Sequence, residues 1–364
     1  SRAASPRVHT GVRPPRAVPL GDPVPRSTSV LAATLATAAL MLAACSQSDA
    51  QVPAPGPTTT LTSSAAPGTT TYPLTIDNCG TEVTFARRPE RILTIKSATT
   101  EMLLALGAGG AIIGTAYPDG PAPEPWTAQA DAIPVLAEKV PSHEVVLAAE
   151  PDLVYAGWES NFSAEGAGER ADLEKLGVRT LVAPSACKAA PYAPKPLTFE
   201  TVFDEITLVG SVVDRAPEAA ALVAEQRSAL DSIEPDGRGL SALWFSSGSD
   251  TPYVGGGTGA PQLAMTTAGL TNIGSAIDDA WGPMSWEAVA EADPDVIVLV
   301  DSPWNSAEKK KALLAAGPVT KQLRAVRSAS YVVVPFPATE AGVRTVAAAA
   351  QLATDVGHLK IDPR

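Results

Sequence analysis

Histidine and cysteine are scarce in this chain of 364 residues, three of each. His9, His143 and His358 lie far apart, and no His/Cys/carboxylate set falls at metal-ligand spacing. Neither an HExxH nor a GxSxG pattern is present, so zinc hydrolases and nucleophile-elbow hydrolases lack their sequence basis. Basic residues are also in deficit: 27 Lys and Arg stand against 39 Asp and Glu, for a net charge of −12. That balance opposes nucleic-acid binding, which depends on neutralising phosphates. Beyond residue 44, no apolar stretch reaches transmembrane length without a charge or a breaker.

The leader is informative. Residues 30–44 form an uncharged, mostly apolar run preceded by Arg2, Arg7, Arg13, Arg16 and Arg26. The run is short for a bilayer span and has the h-region and small-residue end of an export signal. Its last residues, Leu42-Ala43-Ala44-Cys45, resemble the lipobox of bacterial lipoproteins, which implies a lipid on Cys45. An ordinary secretory signal with a chance cysteine is the plain alternative. Residues 1–44 carry a net +4, leaving −16 on the remainder. Residues 45–71 are rich in Ser, Thr, Pro, Ala and Gly, with Asp49 as their one charge. Such a segment has too few apolar side chains to offset ordering entropy and reads as a flexible tether. A soluble body is thus expected outside the cytoplasm, held by lipid to the outer face of the cytoplasmic membrane. Cys79 and Cys187 remain, and export favours a disulfide over two buried thiols. It would close a loop of roughly a hundred residues, worth about 4–5 kcal/mol in the chain-entropy model.

One phrase occurs twice. Glu144-Val-Val-Leu-Ala-Ala-Glu-Pro151-Asp152-Leu-Val is echoed by Glu287-Ala-Val-Ala-Glu-Ala-Asp-Pro294-Asp295-Val-Ile. Each copy reads as a short amphipathic helix led by a glutamate, a Pro-Asp turn and a buried strand. Two like lobes, each presenting one carboxylate, follow from it.

The pattern around the phrase is α/β. Strands are expected at 82–85, 91–95, 111–115, 133–135, 153–156 and 179–182, with helices at 99–106, 142–149 and 167–176. Mostly apolar, unalternating strands separated by helices argue a parallel sheet covered on both faces. Two helical stretches follow at 198–213 and 217–233. Pro217 sits in the first turn of the second, whose apolar face contains Leu222, Ala229, Leu230 and Ile233. A second α/β run has strands at 242–245, 253–254, 296–300 and 331–334, with helices at 260–268, 308–315 and 343–356 and the repeat helix at Glu287. The resulting domains are an N-terminal α/β lobe at 72–213, an interlobe helix at 214–236 and a C-terminal α/β lobe at 237–364. Both lobes are Rossmann-like, and the single long helix limits hinge motion.

Open α/β sheets bind ligands at loops after strand ends. Here those loops carry Lys96, Tyr117, Trp158, Glu159, Asn161, Trp244, Ser246, Tyr253, Trp304 and Phe336. Aromatic walls with scattered hydrogen-bonding groups suit a flat, conjugated organic ligand. Lys96 and Arg344 are candidates to meet an anionic group, with a solvated surface pair as the alternative. Gly255-Gly-Gly-Thr-Gly259 could cradle an anion, but it lacks the P-loop lysine, and a tight strand-to-helix turn is the simpler reading.

The lipobox and tether, Pro89-Glu90-Arg91-Ile92-Leu93, Thr100-Glu101 and the Glu-x-x-x-x-x-x-Pro-Asp phrase in each half resemble the class III substrate-binding proteins of ABC importers. That family serves cobalamin, haem and ferric siderophores. The resemblance runs from about residue 72 to the C-terminus. It implies Glu144 and Glu287 as the carboxylates that meet arginines of a membrane permease. Ile76-Asp-Asn-Cys79-Gly80, Tyr155-Ala-Gly-Trp158-Glu159-Ser160-Asn161, Pro184-Ser-Ala-Cys187 and Pro335-Phe-Pro-Ala-Thr-Glu-Ala-Gly342-Val-Arg344 resemble more narrowly an actinobacterial subgroup. That subgroup is associated with precursors of the deazaflavin coenzyme F-420. The implied protein is a receptor rather than an enzyme, without cofactor or metal, whose partners are a permease, a small organic ligand and the membrane. A siderophore or cobalamin receptor is the rival within the class. An exported hydrolase and a purely structural or signalling lipoprotein are the rivals outside it.

Overall fold

A computed structural model describes residues 69–193 and 195–361. The expected signal peptide, Cys45 and all of the tether before Thr69 lie outside the described residues. Thr70, expected in the tether, is held in place. Its N–H donates to Asp214 Oδ1 and its hydroxyl to the Ser211 carbonyl, both at 2.8 Å.

The chain enters through an antiparallel hairpin, β1 (Leu74–Asn78) and β2 (Thr81–Phe85). Next come β3 (Ile92–Ile95), α1 (Ser97–Ala105), β4 (Ile112–Ala116), α2 (Thr127–Asp131) and β5 (Val135–Ala137). They are followed by α3 (His143–Ala148), β6 (Leu153–Ala156), α4 (Arg170–Lys175) and β7 (Arg179–Val182). Strands β3 to β7 form one parallel sheet of order β5-β4-β3-β6-β7.

Helices α5 (Phe199–Val212) and α6 (Ala216–Asp231) lead to a second sheet. Its elements are β8 (Ser241–Ser247), β9 (Tyr253–Gly255), α7 (Ala260–Thr267), β10 (Thr271–Asn272) and β11 (Trp281–Pro283). After these come α8 (Trp286–Ala292), β12 (Val296–Asp301), α9 (Ala307–Ala316), α10 (Arg324–Arg327), β13 (Tyr331–Pro335) and α11 (Thr345–His358). The order is β11-β9-β8-β12-β13, with β10 also on β8. Strands β8, β12 and β13 are parallel, whereas β9 pairs antiparallel with both β8 and β11. The link from β8 to β9 is too short for the crossover that parallel pairing needs. Gly248 turns it at φ +90°, where a Cβ would lie 2.1 Å from the Thr251 carbonyl oxygen.

Strand residues alternate between two buried faces. Ile92, Leu153, Tyr155 and Leu181 meet α1, α5 and α6, while Leu93, Ile95, Val154 and Val182 meet α3 and α4. In the second sheet Ala242, Trp244, Val298 and Val300 meet α7 and α11, and Leu243, Phe245, Ile297 and Leu299 meet α8, α9 and α10. Burial on both faces is why these strands read as continuous apolar runs.

Helix α6 starts beside the first lobe, where Arg215 Nε donates to the Gly107 carbonyl, and the chain after it meets the second, where the Asp236 N–H donates to the Ala268 carbonyl. Sixteen residues cover about 24 Å. Its inward stripe is Ala219, Leu222, Val223, Gln226 and Leu230, with Ile233 beyond the end. Ala229, expected on that stripe, is exposed; it falls at the edge of the stripe, about 20° beyond Leu222 on the helical wheel. Ala260, Val343 and Val346 of the second lobe pack into the core of the first. The lobes therefore share apolar contacts beyond the connecting helices.

The repeated phrase is one structural unit used twice. Ser142 and Ser285 cap α3 and α8, accepting from the N–H of Val145 and Ala288. Both helices end in a left-handed residue, Glu150 (φ +49°) and Asp293 (φ +43°). The aspartate after each proline then clamps the start of the central strand. Asp152 accepts from the N–H of Glu90 and Arg91, and Asp295 accepts from the N–H and hydroxyl of Ser241.

Candidate functional site: the cleft between the lobes

The C-terminal ends of β3, β6 and β7 in the first lobe, and in the second the turn after β9, the start of β11 and the segment after β13, open onto one cavity of about 340 Å³. Lys96 after β3, Gly157 to Ser160 after β6, and the segment from Ala183 to Leu197 after β7 supply one wall. Thr258 to Ala260, Asp279 to Trp281, and Thr339 to Ala341 supply the other.

The first wall turns sharply where β3 meets α1. Lys96 sits there at φ +86° without a side-chain cap for the helix. Asp119 does that work from 22 residues away in sequence: Oδ2 accepts from the Ser97 N–H, and Asp119 N–H donates to Ser97 Oγ at 2.9 Å. The same carboxylate pairs with the Lys96 ammonium, and both side chains are buried. Burial pushes the Asp119 carboxyl up, opposed by the ammonium beside it. Close approach of β6 to this turn needs Gly157, where a Cβ would lie 2.9 Å from Lys96 Cβ.

Three rings surround the Lys96 ammonium: Trp158 at 3.6 Å, Tyr117 at 4.6 Å and Phe336 of the other lobe at 4.7 Å from the ring centroids. Tyr117 meets Trp158 edge-on, and Trp304 meets Phe336 the same way at 5.3 Å. Trp158 Nε1 donates across the cleft to Glu340 Oε2 at 2.6 Å. Burial pushes the Glu340 carboxyl up, against the pull of Lys96 and the indole N–H.

Not every residue expected at the ligand comes to it. Lys96, Trp158 and Glu159 line the cavity. Tyr117 and Phe336 sit behind them around the ammonium, and Trp304 is exposed outside the ring cluster. Asn161 is buried and accepts the Trp158 N–H, shaping the turn after β6. Trp244 is buried in the second lobe's core, because its parity on β8 points it at α7 and α11. Ser246 and Tyr253 are not part of the cavity wall.

The two cations expected to meet an anion are engaged within the protein. Lys96 is matched by Asp119. Arg344 makes a bidentate pair with Glu101 at 2.5 Å and also donates to the Pro121 carbonyl. Burial raises the Glu101 carboxyl even against the guanidinium. Nor is the glycine run an anion cradle. The N–H groups of Gly256, Gly257 and Thr258 donate to the carbonyls of Ala280, Ile277 and Asp279.

Sequence reasoning placed Cys187 in a disulfide but missed Lys188 to Leu197 after it and the turn that faces them. The Cys79–Cys187 disulfide ties this segment to the β1–β2 hairpin. Tyr192 OH donates to Asp77 Oδ2, the Lys188 N–H to Glu159 Oε2, and the Leu197 N–H to the Thr258 carbonyl. Lys188 and Lys195 thereby reach the cavity, opposite Asp279, Asp278 and Trp281. The segment follows the C-terminal end of β7, so the strand-end rule applied to it would have found both lysines. His143 and His358 lie away from the cavity wall.

Two α/β lobes enclosing a cleft at their strand ends define a binding protein of the two-lobed kind. The chain belongs to the periplasmic binding protein family, whose pattern matches residues 92–338. It is 24% identical to the uncharacterized ABC transporter substrate-binding lipoprotein YvrC of Bacillus subtilis (strain 168), over 77% of this chain and 82% of that one. An ABC-type Fe3+-hydroxamate transport system structure from Saccharomonospora viridis DSM 43017 superposes with a TM-score of 0.69 at 29% identity. That match covers 79% of this chain and all of the other. A periplasmic binding protein from Veillonella parvula dsm 2008 gives 0.68 at 26%, over 79% of this chain and 98% of its own.

Proposed function

We propose that this chain is the substrate-binding protein of an ABC importer, anchored by lipid at Cys45 outside the cytoplasmic membrane. It takes a small organic ligand into the interlobe cleft and presents it to the permease. The observation that carries this reading is the cleft itself, formed by strand-end loops of both lobes with Trp158 and Trp281 in its walls. Such walls favour a planar ligand, and a precursor of the deazaflavin coenzyme F-420 has that shape. The wall has no histidine, tyrosine or methionine among the described residues, so it lacks the usual axial ligands for haem.

A ferric hydroxamate siderophore is the second reading, favoured by the likeness to the Fe3+-hydroxamate transport system structure of Saccharomonospora viridis. Tryptophan fluorescence titration of the purified protein with a deazaflavin precursor, a ferric hydroxamate, haem and cobalamin tests both. Saturable quenching by the deazaflavin is expected. Saturation by the hydroxamate with no response to deazaflavin would replace the first reading with the second.

A further inference from the structure

Ion pairs in and beside the cleft are of two kinds. Lys96–Asp119 and Arg344–Glu101 are short and buried. Lys188–Asp279 and Lys195–Asp278 are long, 3.8 and 3.9 Å, between side chains open to solvent and contributed by opposite lobes. Long solvated pairs are weak and exchange readily with another anion.

The other groups in this part of the cavity have fixed partners. Glu159 accepts the Lys188 backbone N–H, Glu340 accepts the Trp158 indole, and Asp279 Oδ1 accepts the Ala280 N–H. The ammonium groups are less committed. Lys195 donates to the Asp278 carbonyl at 3.0 Å, and no hydrogen bond is made by the Lys188 ammonium among the described residues. The chain around them is nonetheless held, before Lys195 by the disulfide, the Lys188 N–H bond to Glu159 and the Tyr192 phenol, and beyond it by the Leu197 N–H bond to Thr258. Two weakly paired ammonium groups on chain held at either side are pre-organised to grip an acid.

We propose that Lys188 and Lys195 form the anion clamp of the cleft. They recognise a phosphate ester or similar compact acidic group on a ligand whose flat part lies toward Trp158 and Trp281. Asp278 and Asp279 are the internal anions which that group displaces. The clamp rests on the reading of the cleft as a ligand site and adds the chemistry it selects.

The test uses flavin mononucleotide and riboflavin, tricyclic probes that differ by one phosphate. The intact mature protein should bind the phosphorylated probe about tenfold or more tightly than the other, since charge-assisted hydrogen bonds are the strong ones. K188A/K195A should abolish that preference, and D278N/D279N should increase it. Both lysines are solvent-open, so the fold should survive their loss. Preference retained in the double-lysine variant overturns the clamp. If neither probe binds, the flat-ligand reading fails, and the clamp is judged separately by titrating inorganic pyrophosphate. The lysine side-chain 15N resonances of Lys188 and Lys195 should then shift ahead of those of surface Lys175 and Lys311, and uniform shifts reject the clamp.

Discussion

Glu205 is a buried carboxyl. It lies on α5, accepts the Tyr155 phenol at 3.4 Å and the Ser185 N–H at 3.1 Å, and so supports the cleft wall after β7. Burial pushes it up to about 7 from 4.5. Between those values the folded protein keeps a proton that the unfolded chain has lost. Stability therefore falls as pH rises through this window, by up to roughly 3 kcal/mol from this one group, and the contribution is fully present below it. E205Q should flatten that slope: urea midpoints at pH 5 and pH 7.5 should differ less than in the parent. An equally steep variant would show that Glu205 is not the titrating group. Glu101 behaves differently, because its raised carboxyl keeps a guanidinium partner. R344A should cost about 3–5 kcal/mol by leaving a buried charge unpaired, whereas R344M/E101L should recover most of it. Chemical unfolding of both variants checks the pair, and equal losses would mean that Arg344 acts through packing.

Helices α3 and α8 occupy matching places in the two lobes. Val146 and Val289 anchor them on the sheet faces away from α5 and α6. Each helix precedes a parallel strand, so its N-terminus lies at the cleft end of the sheet. Glu144 and Glu287 are exposed in those first turns. Hydrogen bonds from the Ser142 hydroxyl and from its own N–H hold the Glu144 carboxyl below its usual value. These features support the docking role that the family resemblance implies. E144A/E287A should bind ligand as the parent does yet lose uptake in cells, since exposed pairs govern orientation and partner choice more than affinity. Normal uptake by the double variant would sink the docking role. The helix and strand units around this phrase were legible because cap, period and terminator agree. The edge strand β11 was not, since Trp281-Gly-Pro283 has no strand pattern and depends on pairing with β9. At the site, sequence could place Trp244 near a strand end but not on a sheet face. It could not show that the counterions of Lys96 and Arg344 are Asp119 and Glu101, the latter 243 residues from its partner.

Across the whole molecule, the two lobes are tied at several independent points. Ala260, Val343 and Val346 cross into the first lobe's core, Arg344 grips Glu101, Trp158 bonds Glu340, and Phe336 faces the Lys96 ammonium. The disulfide adds a tie between the entry hairpin and the cleft wall across 108 residues. C79S/C187S should cost about 4–5 kcal/mol in the chain-entropy model. Its amide exchange should rise first between residues 188 and 197, because the remaining anchors there are single hydrogen bonds. Uniform exchange changes would argue against a local role for the tie. Lobes joined only by a polar linker are expected to move freely, whereas a shared apolar seam restrains them. Ligand should therefore enter through side-chain and loop adjustment at Trp158, Lys188 and Lys195 rather than through wide hinge closure. Small-angle scattering of the two-lobed body from residue 72 onward gives a direct measure, with a radius of gyration near 19 Å for a compact body of about 290 residues. Saturating ligand should leave that radius unchanged within error, and R344M/E101L should make it respond. A contraction of more than about 1 Å in the unaltered protein would instead place it among proteins that close on a hinge.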